Sequence, residues 1–134
     1  MVGERDRTPR AGGRSQGTGY RQRLGARGEQ AVADWYVARG YRVVARNWRC
    51  REGEIDLVLW SRRRDLVFCE VKTRSSARFG VPAEAVTPAK QQRLRILATR
   101  FLAAHEAELT GRRGVRFDVA SVTAGRVEVI AAAF

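Results

Sequence analysis

One segment restricts this chain more than any other. Residues 54–60 and 66–72 are two runs rich in branched and aromatic side chains, joined by the charged turn Ser61-Arg62-Arg63-Arg64-Asp65. Such a pattern reads as a β-hairpin. Antiparallel pairing about that turn sets Asp56 opposite Glu70 and Glu54 opposite Lys72. Alternate residues of a strand share a face, so one face carries Glu54, Asp56, Val58, Phe68, Glu70 and Lys72. The other carries Ile55, Leu57, Leu59, Val67, Cys69 and Val71, with no polar side chain among them. That apolar face requires a core, and the acidic residues collect at one end of the hairpin.

The rest of the chain supplies the layers that cover it. Leu24, Ala31, Val32, Trp35 and Ala38 recur at helical spacing, and Gly40 gives a stop, which predicts a helix over residues 24–39. Residues 41–48 read as a strand. Thr87 followed by Pro88 is an N-cap and first-turn signature, opening a helix to about residue 106. Residues 115–122 and 126–131 form a last strand pair around Thr123-Ala124-Gly125. The predicted order is α-β-β-β-α-β-β, an α/β domain with a mixed sheet flanked by helices. Residues 75–85 read as a loop. Residues 1–22, rich in glycine and arginine and poor in large apolar residues, read as a disordered basic arm. The single folded domain then spans residues 23–134.

Charge narrows the partners. The formal net charge is +12 over 134 residues, which points to a polyanion. No apolar run approaches the roughly 20 residues of a membrane span, and no apolar leader follows the start, so a cytoplasmic setting is expected. Two cysteines and one histidine do not make a structural zinc site of the usual kind. Of the 26 basic residues only Lys72 and Lys90 are lysine. A lysine kept in such an arginine-rich chain suggests a position needing a compact ammonium, although arginine bias with two leftover lysines reads equally well.

Cross-strand neighbours have Cβ atoms about 4.5–5.5 Å apart, so Asp56 opposite Glu70 is a repulsion unless a cation lies between them. Two carboxylates so placed suit Mg²⁺ or Mn²⁺, with water filling the remaining positions. Lys72, on the face of Glu70, lies beside that site. The plainer reading is a mixed-charge surface in which Glu54 pairs with Lys72. Glu29, near the edge of the first helix's apolar stripe, suits either the metal site or a helix-terminal charge interaction. Lys90 and Gln91 occupy the first turn of the second long helix, where free N–H groups attract anions. A phosphate contact and a snorkelling lysine are both open.

Gly53-Glu54-Ile55-Asp56-Leu57-Val58 followed by Val67-Phe68-Cys69-Glu70-Val71-Lys72-Thr73-Arg74 resembles the PD-(D/E)XK nuclease signature. More narrowly, the chain resembles the YraN family of endonuclease-like bacterial proteins, related to archaeal Holliday-junction resolvases. Gly25-Ala26-Arg27-Gly28-Glu29, Arg46-Asn47-Trp48-Arg49, Phe79-Gly80, Thr87 with Lys90-Gln91, and Arg116-Phe117-Asp118-Val119 extend the match. It covers residues 24–122, and Cys69 stands where the family usually carries valine. The resemblance implies a restriction-endonuclease-like fold in which Asp56 and Glu70 bind the metal and Lys72 assists hydrolysis. Glu29 would complete the metal site, and Gln91 or Lys90 would support it.

The expected function is a Mg²⁺-dependent endonuclease on DNA, branched or structured, with Arg49, Arg51, Arg74, Arg78 and Arg93 holding the backbone. Resolvase-type cutting across a symmetric junction would need a homodimer. The alternative is a non-catalytic or partner-dependent nucleic-acid-binding protein of the same fold. Phosphates are common to both polymers, so charge alone does not separate DNA from RNA.

Overall fold

The computed structural model describes residues 16–74 and 86–134. Helix α1 (Gln16–Ala38) leads into strands β1 (Arg42–Cys50), β2 (Gly53–Trp60) and β3 (Asp65–Arg74). Helix α2 (Pro88–Ala104) and a 3₁₀ turn (Glu106–Leu109) precede β4 (Gly114–Thr123) and β5 (Arg126–Ile130). The expected order is therefore present, with the 3₁₀ turn as an addition. Helix α1 begins at Gln16, within the segment read as an arm. Residues 1–15 and the expected loop at 75–85 lie outside the described residues.

Local chemistry explains the ends of the elements. Gly40 adopts φ +92°, and the Tyr41 amide donates to the Tyr36 carbonyl at 3.1 Å, a glycine-closed helix end. The Thr87 side chain accepts from the Lys90 amide at 3.2 Å, with Pro88 in the first turn of α2. In the β2–β3 turn, Ser61 Oγ accepts from the Asp65 amide at 2.9 Å.

The five strands lie in sequence order, antiparallel except for the β3–β4 pair, which is parallel across the α2 connection. This mixed sheet with a helix on each face is consistent with a restriction-endonuclease-like fold. On the α1 side Val32, Ala33 and Tyr36 pack on Leu57, Leu59, Val67, Cys69, Ala120 and Val122. On the α2 side Leu94, Leu97, Ala98 and Phe101 pack on Val58, Leu66, Phe68, Phe117 and Val119. The polar face of the hairpin is thus not a solvated surface: its middle lies under α2, and only the end bearing the charged residues stays open.

The hairpin register is the one the turn dictates, with Leu57 opposite Cys69 and Val58 opposite Phe68. One residue departs from simple alternation. Ile55, assigned by spacing to the face of Leu57, joins the α2-side core with its partner Trp48. Between the Arg46–Leu57 and Trp48–Ile55 pairs, Asn47 has φ +50°, a left-handed conformation that asparagine tolerates. This break in β1 brings Ala45 and Trp48 onto one side, and the Trp48 ring meets Phe101 edge-on at 5.1 Å.

Candidate active site

Beyond the Leu57–Cys69 pair the β2–β3 ladder stops, and the Asp56 side chain takes over its role. Asp56 Oδ2 accepts from the Val71 amide at 2.8 Å. The carboxyl is thereby fixed between the strands, at the edge of a cavity of about 300 Å³. Glu52, Gly53, Glu54, Asp56 and Glu70 line it from the sheet, and Lys90, Arg93, Leu94 and Leu97 from α2. Burial pushes the Asp56 carboxyl up to about 8, and the charge of Glu70 adds to the effect. The Val71 amide acts against it, while Glu29 and Glu54 raise it further. At neutral pH this carboxyl therefore holds a proton unless a cation displaces it.

Both lysines of the chain converge on Glu70. Lys72 Nζ lies 3.2 Å from Glu70 Oε2, and Lys90 Nζ lies 3.8 Å from the same oxygen. All three side chains are largely covered, with 23%, 31% and 17% exposure for Lys72, Lys90 and Glu70. Two guanidinium groups are broad, planar forks, whereas two ammonium groups can crowd one oxygen. Burial works against the Lys72 ammonium, but the Glu70 carboxylate beside it outweighs that and raises the pKa. Lys90 is lowered, because it meets the Lys72 ammonium and loses solvent.

The ion pair of Glu54 with Lys72 that the plainer reading called for is not formed: Glu54 meets Arg49 at 3.7 Å, and Lys72 is held by Glu70. The opening of the strands past Leu57 removes the register that would have joined them. Glu29 is half-buried on α1 and acts on Asp56 by charge. Gln91 turns elsewhere, donating from Nε2 to the Val86 carbonyl at 3.2 Å, which braces the start of α2. Of the arginines, Arg93 lines the cavity and Arg51 is exposed nearby in the β1–β2 turn. Arg74 instead lines a hollow with Leu24, Arg27 and Gly28 of α1. Arg78 lies outside the described residues.

Two groups were given no role by the sequence reading. Glu52 lines the cavity and is held by Arg100 at 2.7 Å. Asp118, 1% exposed, accepts from Tyr36 Oη at 2.7 Å, from Arg116 Nε and Nη2 at 2.9 and 2.8 Å, and from the Ala132 amide at 3.0 Å. This fully bonded network ties α1 to β4 and the chain's end on the side of the sheet away from the cavity. The one sequence signal was an Arg-x-Asp alternation in an otherwise apolar strand.

Chemically, Asp56 and Glu70 are the pair able to hold a hard cation by oxygen. Among the described residues no three His, Cys, Asp or Glu side chains converge to ligate a metal, so water would have to complete any coordination. No helix among them is long and apolar enough to cross a membrane.

The model of the uncharacterised protein family UPF0102 matches residues 28–122, which include every element from the middle of α1 to the end of β4. A UPF0102 protein of Beutenbergia cavernae is 54% identical over 102 residues, covering 74% of this chain and 80% of its own. One from Mycolicibacterium vanbaalenii is 48% identical over 113 residues, covering 84% and 90%. One from Symbiobacterium thermophilum is 50% identical over 104 residues, covering 78% and 85%. With a match across most of its length and relatives near half identity, the chain belongs to the UPF0102, or YraN, family.

Proposed function

We propose that this protein is a divalent-metal-dependent endonuclease that hydrolyses phosphodiester bonds in DNA, with branched or otherwise structured DNA as its substrate. The observation that carries the reading is the meeting of Asp56, Glu70 and Lys90 in one cavity, with Lys72, the other lysine of an arginine-rich chain, held against Glu70. A carboxyl pushed up by burial and by a second carboxylate costs folding stability, and such arrangements gather at functional sites. Asp56 and Glu70 would hold Mg²⁺ or Mn²⁺, with Glu29 adding negative charge from α1. When bound, the metal polarises a phosphate oxygen and lowers the pKa of a coordinated water.

The chain's own groups do the rest. The Val71 amide fixes the Asp56 carboxyl, so its oxygens need no reorganisation when the substrate arrives. Lys72, held against Glu70, keeps a positive charge where negative charge develops on the phosphate in the transition state. Lys90, in the first turn of α2, presents a second ammonium beside Glu70 at the positive end of the helix dipole. Arg49, Arg51, Arg74, Arg78 and Arg93 would contact the backbone without reading bases, so binding weakens steeply with salt. Cutting a two-fold symmetric junction requires two such sites, hence a homodimer.

A second reading has its own support. Glu70 already meets two ammonium groups and no three ligands converge among the described residues, which favours a nucleic-acid-binding protein without catalysis. Incubating labelled linear, flap, fork and four-way-junction DNA, and matched RNA, with Mg²⁺ or Mn²⁺ separates the two. Cutting that vanishes in Asp56→Ala and Lys72→Ala supports the nuclease. Binding without metal-dependent cutting by the wild type leaves only the binder.

A further inference from the structure

Besides Tyr36, whose hydroxyl bonds to Asp118, the buried polar side chains among the described residues include Asp118 and Ser121. Asp118 is fully bonded, whereas the Ser121 hydroxyl, 6% exposed, has no hydrogen-bond partner among the described residues. A covered hydroxyl left without a partner costs stability, and a bound ligand is one way such a cost is offset. Ser121 lines a hollow of about 390 Å³ together with Thr123, Ala124, Arg126 and Glu128.

The sheet register fixes where that hollow opens. Ser121 lies beside Lys72 on β3 and opposite Glu128 on β5, and Thr123 lies opposite Arg126. Registered neighbours share a face of the sheet, and adjacent strands are about 4.8 Å apart. The hollow therefore continues the face that carries Lys72, one to two strands further on. Two hydroxyls and an exposed guanidinium are donors suited to phosphate oxygens. Glu128, opposite Ser121, would oppose an anion beside it, so a phosphate in this hollow would sit toward Thr123 and Arg126, with Ser121 as a further donor.

We propose that Ser121, Thr123 and Arg126 form a second phosphate subsite, which grips the backbone of the nucleic-acid strand that passes Lys72. The proposal rests on the nucleic-acid reading above and names where that strand is held.

The test is anisotropy titration of a labelled four-way junction, with Ca²⁺ in place of Mg²⁺, across a salt series. Wild type is compared with Ser121→Ala, Arg126→Ala and Glu128→Gln. Arg126→Ala should weaken binding about fivefold and reduce the salt slope by about 1. Ser121→Ala should weaken it by about the same factor, while its Tm stays level or rises because an unpaired hydroxyl has gone. Glu128→Gln should tighten binding. Unchanged affinity and salt slope in both Ser121→Ala and Arg126→Ala, with a wild type that binds, overturns the subsite alone. A fall in the Tm of Ser121→Ala with affinity intact makes the hydroxyl structural and overturns it too. A wild type that binds no nucleic acid overturns the subsite and the functional reading together. A wild type that binds but does not cut with Mg²⁺, with the variants weakened as stated, supports the subsite and removes only the catalysis.

Discussion

Asp56→Asn separates the fold's interest in this side chain from the site's. The asparagine oxygen can still accept from the Val71 amide, but the variant carries no charge at any pH. In the wild type the folded carboxyl stands at about 8, against about 3.9 in an unfolded chain. Below about pH 4 both states are protonated and the group contributes nothing. Between about pH 4 and pH 8 the unfolded chain releases the proton and the folded one keeps it, so stability falls as pH rises, then levels off above about 8. The full gap sets an upper limit of about 6 kcal/mol. Asp56 keeps some exposure, so about 3 kcal/mol is the working figure, equal to roughly 10 °C in Tm for a domain of this size. Thermal melts in chelator should show wild type and variant close together at about pH 5, and the variant about 10 °C more stable at about pH 8.5. A Tm difference that does not change with pH, or an asparagine variant that is the weaker at alkaline pH, refutes the reasoning. The same linkage makes Mg²⁺ compete with a proton, so the rise in Tm on adding Mg²⁺ to the wild type should grow as pH climbs toward 8.

Other expectations follow from the remaining contacts. Lys72→Arg keeps the charge but replaces the compact ammonium against Glu70 with a broad fork, and cleavage should fall by about 10²-fold with little change in Tm. Asp118→Asn leaves the Arg116 guanidinium without its carboxylate in a covered site, and should cost about 3 kcal/mol in chemical denaturation. Tyr36→Phe removes one bond of the same network and should cost about 1 kcal/mol in the same assay. Gly28 packs directly on the Thr73 side chain, leaving no room for a methyl group. Gly28→Ala, worth about 1 kcal/mol of gain in an open helix, should instead lower Tm, and Thr73→Ala in the same chain should restore it.

What the sequence determined by itself was local. The turn at 61–65, the alternation on either side of it and the cap at Thr87-Pro88 depend on residues a few positions apart, so the hairpin register and the start of α2 follow from the chain alone. The same alternation placed Asp56, Glu70 and Lys72 together, and the scarcity of lysine marked Lys72 and Lys90 before either had a position. Tertiary structure decided everything that needed two distant segments. That both lysines meet one oxygen of Glu70 depends on how α2 crosses the sheet, and no spacing between residues 72 and 90 encodes it. Glu54 turned to Arg49 because the strands part after Leu57, where the Asp56 carboxyl displaces a backbone ladder bond. Ile55 changed sides because Asn47, on another strand, takes a left-handed turn. The Asp118 network exists only once α1 closes over β4, and the polar hollow at Ser121 only once β4 pairs with β3 and β5. Short-range backbone preferences are written residue by residue, but burial and charge depend on which surfaces the folded chain brings into contact, and that is a property of the whole packing.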